Sequence, residues 1–328
     1  MKKKSIITYI LIILLVLLLL LFGGYHYFFG GVTKDKAFSE VAKNQTERLA
    51  VPEISDLNDA HIVNIAMFGI DSETGNKGRS DATMILSIDY EHNKIKLSSV
   101  ARDSLVYIPD KDVKEKFTHA YAYGGAQLAV KTLNTNYNTN ITDYVAVNFS
   151  ETAKIIDLVG GVEVDLTQAE LDQIPNKDNL SVGENITLNG EQAVAYSRIR
   201  YIDSDTMRAS RQREVMESLF TKARTMSATQ YPSLIRECLN LCTTSLDYTE
   251  ILSFSQILLK KGLSFEQFAL PGEAVESWGG IMPSSGAWCS VYNMRDASKA
   301  LLTFIYEDIF TNSNYDLPPA TVDMSILN

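Results

Sequence analysis

Cysteine is scarce in this chain of 328 residues, which holds three cysteines and four histidines. Cys238 and Cys242 lie one helical turn apart and Cys289 stands alone, so their number and spacing argue against a disulfide framework. A zinc-type site needs more nitrogen and sulfur ligands at closer spacing than these residues supply. We expect all three cysteines to behave as small buried hydrophobic residues.

Positive charge is also in deficit, because 40 acidic residues face 30 basic ones and the net charge is −10. Nucleic-acid binding usually shows itself as a basic recognition helix or a broad basic face, and the chain has no such helix. The pattern therefore predicts no nucleic-acid partner. Internal repeats and Pro/Gly/Ser-rich linkers are absent as well, so we expect one large folded domain.

A long apolar run is present at the N-terminus. Residues 5–26 are long and apolar enough to span a bilayer as a helix. Three lysines within residues 1–4 precede the run, which predicts a cytoplasmic N-terminus and an extracytoplasmic remainder. A cleaved signal peptide is the alternative, but Gly23-Gly24 followed by bulky aromatic residues matches a small-x-small cleavage site poorly. The chain is therefore predicted to be a single-pass protein of the cell membrane.

Beyond this span, residues 27–58 are polar without a strong period and are interpreted as an extracytoplasmic stalk. Residues 59–328 are interpreted as the folded domain, which opens with strands predicted at 62–70, 82–88 and 94–100. Further helices are predicted at 126–134, 151–158, 207–224, 232–242, 249–261 and 294–310, and further strands at 144–148, 162–165, 264–270 and 287–292. Residues 166–187 read as a loop. This interleaving predicts an α/β (α+β) fold with a mixed central sheet sandwiched between helices.

Charged residues mark the ends of the first three strands. Asp71 follows the first, Asp81 opens the second, and Arg102-Asp103 follow the third. If the second and third strands pair antiparallel, Asp81 and Arg102 reach the same edge of the sheet. Asp71 and Asp81 then suit Mg²⁺, which is commonly held by one or two carboxylates together with substrate phosphates. Solvated or helix-capping aspartates are the alternative.

Arginine is concentrated in one segment, residues 196–213. Five of the eleven arginines in the chain lie there, namely Arg198, Arg200, Arg208, Arg211 and Arg213. The planar fork of donors on arginine grips a carboxylate or a phosphate in two places at once. The cluster therefore indicates either an anion site or a set of internal ion pairs.

Helical spacing sharpens this choice. Val215, Leu219 and Ala223 form the apolar stripe of the helix predicted at 207–224. The stripe extends backwards through three polar residues, Gln212, Arg211 and Arg208. A charge on a core-facing stripe is costly unless it is paired or faces a polar cavity. Ion pairing with Asp203 and Asp205 is one interpretation, and an anion site near a helix N-terminus is the other.

Seven short motifs occur together in an order that resembles the LytR-CpsA-Psr family. They are Phe68-Gly-Ile-Asp71, Gly78-Arg-Ser-Asp-Ala-Thr-Met84, Ser99-Val-Ala-Arg-Asp103, His119-Ala-Tyr-Ala-Tyr-Gly-Gly125, Leu188-Asn-Gly190, Tyr196-Ser-Arg-Ile-Arg200 and Asp205-Thr-Met-Arg-Ala-Ser-Arg-Gln212. The resemblance covers residues 60–225. The chain departs from the usual pattern at two places: Val100-Ala101 stands where Ile-Pro is more frequent, and Arg213 stands where a second glutamine is frequent.

The resemblance implies a set of site residues by position. Asp71 and Asp81 match the family's Mg²⁺ or Mn²⁺ ligands. Asp103 matches the usual partner of the adjacent arginine, so Arg102, Asp103 and Asp81 are the expected catalytic residues. The expected pyrophosphate contacts are Arg79, Arg102, Arg198, Arg200, Arg208, Arg211 and Gln212. Arg213 is left outside the site.

The resemblance also implies a function. It predicts a transferase on the outer face of a Gram-positive membrane that moves a teichoic-acid or capsule-type glycopolymer from undecaprenyl pyrophosphate to peptidoglycan. Such a reaction needs arginines and a metal to neutralise the leaving phosphate, a base, and an apolar groove for the isoprenoid chain. Asp81, Asp103 or a water held by the metal is the expected base. The alternatives are a non-catalytic binder of lipid-linked glycan, a lipid pyrophosphatase, and a transcription regulator, which the acidic charge and extracytoplasmic placement oppose.

Overall fold

The computed structural model describes residues 34–44, 46–52, 61–72, 77–227, 229–282 and 285–306. Its strands are β1 (Ile62–Ile70), β2 (Ser80–Asp89), β3 (Lys94–Val100), β4 (Leu105–Ile108), β5 (Val113–Lys116), β6 (Asp143–Asn148), β7 (Val162–Leu166), β8 (Gly183–Leu188), β9 (Thr243–Thr244), β10 (Ser264–Leu270), β11 (Ser277–Ile281) and β12 (Trp288–Tyr292). Its α-helices are α1 (Lys36–Asn44), α2 (Phe117–Tyr137), α3 (Phe149–Leu158), α4 (Gln168–Leu171), α5 (Gly190–Ser197), α6 (Asp205–Thr225), α7 (Tyr231–Leu241), α8 (Tyr248–Ser255) and α9 (Met294–Tyr306). Short 3₁₀ helices occupy Thr46–Leu49, Pro109–Lys111 and Gln256–Leu259.

A six-stranded mixed sheet forms the centre of the domain, in the order β10-β3-β2-β1-β6-β9. β1 pairs antiparallel with β2, and β2 pairs antiparallel with β3, whereas β6 lies parallel to β1 and β10 parallel to β3. Alternation along β1 sends Ala66 and Phe68 to one face and Ile65 to the other. Helices α2 and α9 cover the first face, and α7 and α8 cover the second. The predicted mixed sheet between helix layers is confirmed.

Several local predictions differ from the structure. The helix expected at 126–134 begins earlier, at Phe117, and contains a break at Gly124 and Gly125, where Gly125 has a φ of 63°. Glycine adopts this left-handed conformation without steric cost, so the chain bends there and resumes the helix. The presumed loop at 166–187 contains α4 and most of β8, which pairs with β7 in a separate two-stranded sheet.

Part of the segment interpreted as a stalk is folded onto the domain. Helix α1 buries Phe38, at 3% exposure, and Val41, and Leu49 in the following turn is fully buried. Asp35 accepts a 2.7 Å hydrogen bond from the hydroxyl of Tyr144 on β6. Three well-spaced apolar side chains are therefore enough to make residues 34–49 a structural part of the domain, although the segment is polar on average.

The membrane-span prediction concerns residues 5–26, which lie outside the described residues. Within the described ranges, no helix is both long and apolar enough to cross a bilayer.

Candidate active site

A polar cavity of about 340 Å³ lies where β1 and β2 approach the ends of α5 and α6. Its walls include seven of the residues expected from the sequence, namely Asp71, Arg79, Asp81, Arg198, Arg200, Arg208 and Gln212. Phe149, Ala195 and Tyr201 complete the lining. Residues separated by more than a hundred positions in the chain are thus brought to one place by the sheet edge and the N-terminus of α6.

Asp81 is the centre of the charged network at this cavity. Its Oδ2 atom lies 3.2 Å from Nη1 of Arg102 and 3.2 Å from Nη2 of Arg200. The contact with Arg102 confirms that the antiparallel β2–β3 pair brings these two residues to the same edge. The other oxygen, Oδ1, is buried and has no hydrogen-bond partner within the described chain. A carboxylate oxygen of this kind fits a cation or a proton.

Arg208 carries the strongest sign of an anion site. It is 4% exposed, on the first turn of α6, and its Nε and Nη1 atoms have no hydrogen-bond partner within the described chain. Nη1 lies 2.9 Å from Oδ1 of Asp205, but not in hydrogen-bonding geometry. Burial and the neighbouring charges of Arg102 and Arg200 lower the pKa of Arg208. The cavity lining holds four arginines and two carboxylates, so an anionic ligand is favoured.

Three other expected contacts occupy the cavity wall in different ways. The Arg198 guanidinium stacks 4.0 Å from the centre of the Phe149 ring, which fixes its plane while leaving its edge to the cavity. Arg79 lies 3.7 Å from Asp71, between Nη2 and Oδ2, at the more exposed rim. Gln212 donates a long 3.4 Å hydrogen bond to the Ser197 carbonyl.

Arg211 lies behind the cavity and is not part of its lining. Its Nε donates a 2.8 Å hydrogen bond to Glu170, and its Nη2 pairs with Asp203. The ion-pair interpretation with Asp203 therefore describes Arg211, whereas the cavity-facing interpretation describes Arg208. One helix stripe thus holds two arginines with different environments.

Replacement of Arg211 by alanine is expected to destabilise the fold by about 3–5 kcal/mol, because it leaves Glu170 and Asp203 as uncompensated charges. Arg211 and Glu170 are buried, at 2% and 7% exposure, so solvent screens the Glu170 charge weakly, whereas Asp203 is exposed and contributes less. Urea denaturation of the variant measures the loss. Arg224→Ala, on the exposed last turn of the same helix, is the matched control and should leave stability nearly unchanged.

Asp103 does not line the cavity but holds Arg102 beside it. Its Oδ2 lies 3.3 Å from Nε of Arg102, and its Oδ1 accepts a 2.8 Å hydrogen bond from Lys116. Burial alone raises the pKa of Asp103, but the Lys116 hydrogen bond and the Arg102 charge outweigh it and hold the pKa below 3.8. Both carboxylate oxygens are thus engaged by cations, which makes Asp103 a positioning group for Arg102.

This lowered pKa predicts a pH-dependent effect of Lys116→Met. A carboxylate with a depressed pKa in the folded state stabilises the protein above its unfolded pKa and loses that contribution as the pH falls through the folded value. The variant should therefore be less stable than the parent at pH 7, and the difference should shrink below pH 3.8. Thermal unfolding of both proteins between pH 7 and pH 2.5 checks it. A difference independent of pH would contradict the assignment.

An apolar groove of about 370 Å³ runs from the polar cavity between the sheet and the helices. One side of the groove is formed by strands β1, β2 and β3. The other side is formed by helices α3, α6, α7 and α8 and by the 3₁₀ helix that follows α8. Phe149 and Gln212 line both the groove and the polar cavity, so the two meet at these side chains. One amphiphilic molecule with an anionic head and a long apolar chain fits both together.

Comparison with known proteins agrees with this arrangement. Residues 26–299 match the LytR_cpsA_psr family. The chain belongs to this family. A relative named polyisoprenyl-teichoic acid–peptidoglycan teichoic acid transferase TagU, from Bacillus cereus strain ATCC 14579, is 30% identical over 244 residues, which are 74% of this chain and 76% of that protein. The TagU of Enterococcus faecalis strain V583 is 31% identical over 239 residues, covering 71% and 70% of the two chains.

A solved structure described as TagT bound to LIIa-WTA shares the fold. It superposes with a TM-score of 0.61 at 27% sequence identity and covers 78% of this chain and 94% of that one. The match places the mixed sheet and its helix layers among LytR-CpsA-Psr structures.

The LytR-CpsA-Psr resemblance implies a metal ion, and the carboxylates of this cavity are the residues that could hold it. In the described part of the chain, no group of three or more His, Cys, Asp or Glu side chains is arranged around one point. Asp71 and Asp81 nevertheless share the cavity, and Oδ1 of Asp81 is buried without a partner. Two carboxylates fit an ion that completes its coordination with water and substrate phosphate.

Several site residues were not expected from the sequence. Phe149 stacks on Arg198, Lys116 anchors Asp103, and Tyr201 lines the cavity with a 94% exposed side chain. The sequence predicts Asp205 as an ion-pair partner of the arginines. It also lies 4.0 Å from Arg102, between Oδ2 and Nη2, and so links two site arginines. Tyr201 had a sequence signal, since it follows Arg200 directly within the arginine segment.

Proposed function

We propose that this protein is a membrane-anchored extracytoplasmic transferase that moves a glycopolymer from undecaprenyl pyrophosphate to peptidoglycan and forms a phosphodiester link. The observation that carries the proposal is buried Arg208, whose Nε and Nη1 atoms have no hydrogen-bond partner among the described residues, at a cationic cavity that meets an apolar groove. A pyrophosphate head and an isoprenoid tail match these two environments. The names of the TagU relatives, which describe teichoic acid transfer to peptidoglycan, support the same reaction class.

In the proposed reaction, a hydroxyl oxygen of peptidoglycan attacks the phosphorus that carries the glycopolymer. The bond from that phosphorus to the bridging oxygen breaks, and the lipid monophosphate leaves with the electron pair. The hydroxyl proton passes to a base at the rim. Arg200 and Arg208 line the cavity where negative charge accumulates on the leaving phosphate, and preorganised cations of this kind lower the barrier.

Asp71 and Asp81 would hold Mg²⁺ or Mn²⁺ in this proposal. The ion, when bound, would add positive charge beside the pyrophosphate. Arg102 links the metal-binding carboxylate Asp81 to Asp103 and Lys116, so this chain of contacts fixes the arginine without occupying the open oxygen of Asp81. The polymer is proposed to be of the teichoic-acid or capsule type.

The test uses the full-length protein in detergent with a synthetic polyprenyl-pyrophosphate glycan, Mg²⁺ and peptidoglycan oligomers. Mass spectrometry should find a phosphodiester-linked adduct together with one equivalent of polyprenyl monophosphate. EDTA and Asp81→Asn should each abolish the adduct, and Arg224→Ala should preserve it. Free glycan phosphate without an adduct would instead establish a pyrophosphatase. Lipid binding without any product, across several donor glycans, would establish a binder.

A further inference from the structure

The β11–β12 hairpin carries both tryptophans of the chain, Trp278 and Trp288. Neither is buried, although tryptophan usually covers a large apolar area in a core or an interface. Nothing in the proposed chemistry uses them. The hairpin is a candidate interaction surface for that reason.

Trp288 has the geometry of a stacking platform. In the hairpin register it lies opposite Ile281, on the face that also carries Gly279. A Cβ atom added at Gly279 would lie 2.5 Å from Cζ2 of Trp288, so the indole rests directly on the glycine backbone. The side chain remains 46% exposed and Ile281 beside it is exposed too. One ring face is thus seated on the strand and the other is offered outward.

The two tryptophans occupy opposite faces of the hairpin. Trp278 lies opposite Val291, which packs with Cys289 and Leu105 in a small buried cluster. Successive side chains of a strand alternate between faces, so Trp278 lies on the face of Val291 and Trp288 on the opposite face, which is exposed at Ile281 and buried toward Tyr292. This difference makes Trp278 an internal comparator for Trp288.

The hairpin contacts the segment that follows β3, next to Arg102. The backbone N–H of Ser290 donates a 2.9 Å hydrogen bond to the carbonyl of Asp103, and Ser104 forms a β-bridge with Ser290. Trp288 lies two residues before Ser290 on β12, so their Cα atoms are about 7 Å apart. The hairpin does not contribute to the lining of the polar cavity or the groove. The platform therefore stands beside Arg102 and Asp103, outside the space assigned to the donor lipid.

Charge decides between possible occupants. Residues 277–292 include no Asp, Glu, Lys or Arg, in a chain that is 21% charged. The neighbouring segment 110–116 carries three acidic and three basic residues, namely Asp110, Asp112, Glu115, Lys111, Lys114 and Lys116. A polyanionic polymer would find no excess of positive charge here. A sugar ring presents an apolar C–H face and a hydroxyl edge, which suits the face of an indole at the water boundary.

We propose that Trp288, seated on Gly279 beside Ile281, binds a sugar ring of the peptidoglycan glycan strand and guides the acceptor toward Arg102. The proposal deepens the transferase function and rests on it for the identity of the acceptor. Binding itself does not require transfer, so the two are separable by experiment.

The test exploits the presence of only two tryptophans. Trp278→Phe leaves Trp288 as the sole tryptophan reporter, and Trp288→Phe leaves Trp278. Each full-length variant, in nanodiscs of zwitterionic lipid, is titrated with a peptidoglycan tetrasaccharide while tryptophan emission is recorded. We expect a saturable change in emission from the Trp288 reporter and little change from the Trp278 reporter. An unresponsive Trp288 at saturating tetrasaccharide would overturn the proposal. So would a response produced instead by a free phosphodiester polymer or by lipid vesicles.

A kinetic arm separates acceptor binding from catalysis. Trp288→Ala should raise the KM for peptidoglycan acceptor about tenfold, and leave the KM for the lipid donor unchanged. Trp288→Phe should recover part of the loss because it retains a ring face. Leu158→Ala removes another exposed apolar side chain, on α3, and serves as the control. If no transfer is detected at all, the emission titration still decides whether this surface binds glycan.

Discussion

Replacing Arg208 by alanine is expected to lower the rate of glycopolymer transfer by about 10²–10³-fold, the cost of removing one preorganised donor to a charged transition state. Arg208 is buried, faces the cavity and has two donor atoms without partners in the described chain. These donors are already oriented when the pyrophosphate arrives, so little reorganisation is needed. The rate of adduct formation at saturating donor and acceptor measures the effect.

Replacing Arg208 by methionine is expected to maintain or raise the stability of the protein, although activity falls. The lowered pKa of Arg208 means that burial and the charges of Arg102 and Arg200 disfavour its charged form in the fold. Arg208→Met removes that repulsion and keeps much of the volume, so its melting temperature should equal or exceed that of the parent. Arg208→Lys retains charge without the planar fork and should recover only part of the activity. Full activity of Arg208→Ala would contradict the proposed role of Arg208 in the reaction.

Deletion of residues 1–52 is expected to prevent stable folding, whereas deletion of residues 1–33 is expected to leave the domain folded. The difference between the two fragments is the segment that buries Phe38, Val41 and Leu49. Truncating a single buried side chain of this size to alanine costs about 2–5 kcal/mol, and a domain has only about 5–15 kcal/mol in total. Losing all three buried side chains therefore removes most of the free energy of unfolding.

Polar contacts add to this loss. Lys34 lies 3.3 Å from Glu250 on α8, and the carbonyl of Leu49 accepts a 2.8 Å hydrogen bond from Asn134 on α2. Circular dichroism and thermal unfolding of the two fragments test the prediction. Phe38→Ala in the full-length protein is the milder version and should lower the melting temperature by several degrees. Equal melting temperatures for the two fragments would show that residues 34–52 contribute nothing to the fold.

The sequence was sufficient to predict structure where strong local hydrophobic patterns are joined by short connections. Apolar runs with few intervening residues predicted the β1–β2–β3 meander, and that register brings Asp81 to Arg102. The apolar stripe of α6 likewise predicted that Arg208 and Arg211 turn toward the interior, and both are buried. In each case neighbouring residues alone carry the information.

Features that depend on distant partners were not predictable in this way. Arg208 and Arg211 look alike on the helix stripe, and their different partners distinguish them, because Arg211 pairs with Glu170 and Asp203. Glu170 belongs to α4, inside a segment whose polar composition indicated a loop. The β11–β12 hairpin has two adjacent glycines and no clean alternation, so β11 gave no strand signal. Helix α1 gives a weak sequence signal because only two of its nine residues, Phe38 and Val41, are large apolar residues.

With the proposed membrane anchor, the docking of α1 would limit the distance between the folded domain and the bilayer. Lys34 is held to Thr244 by a β-bridge, and the proposed membrane helix ends at residue 26. Seven residues separate the two, and a chain of that length spans at most about 25 Å when fully extended. Under this proposal the enzyme works on the innermost layer of the wall. New polymer would then be attached at the membrane surface and carried outward as the wall above it ages.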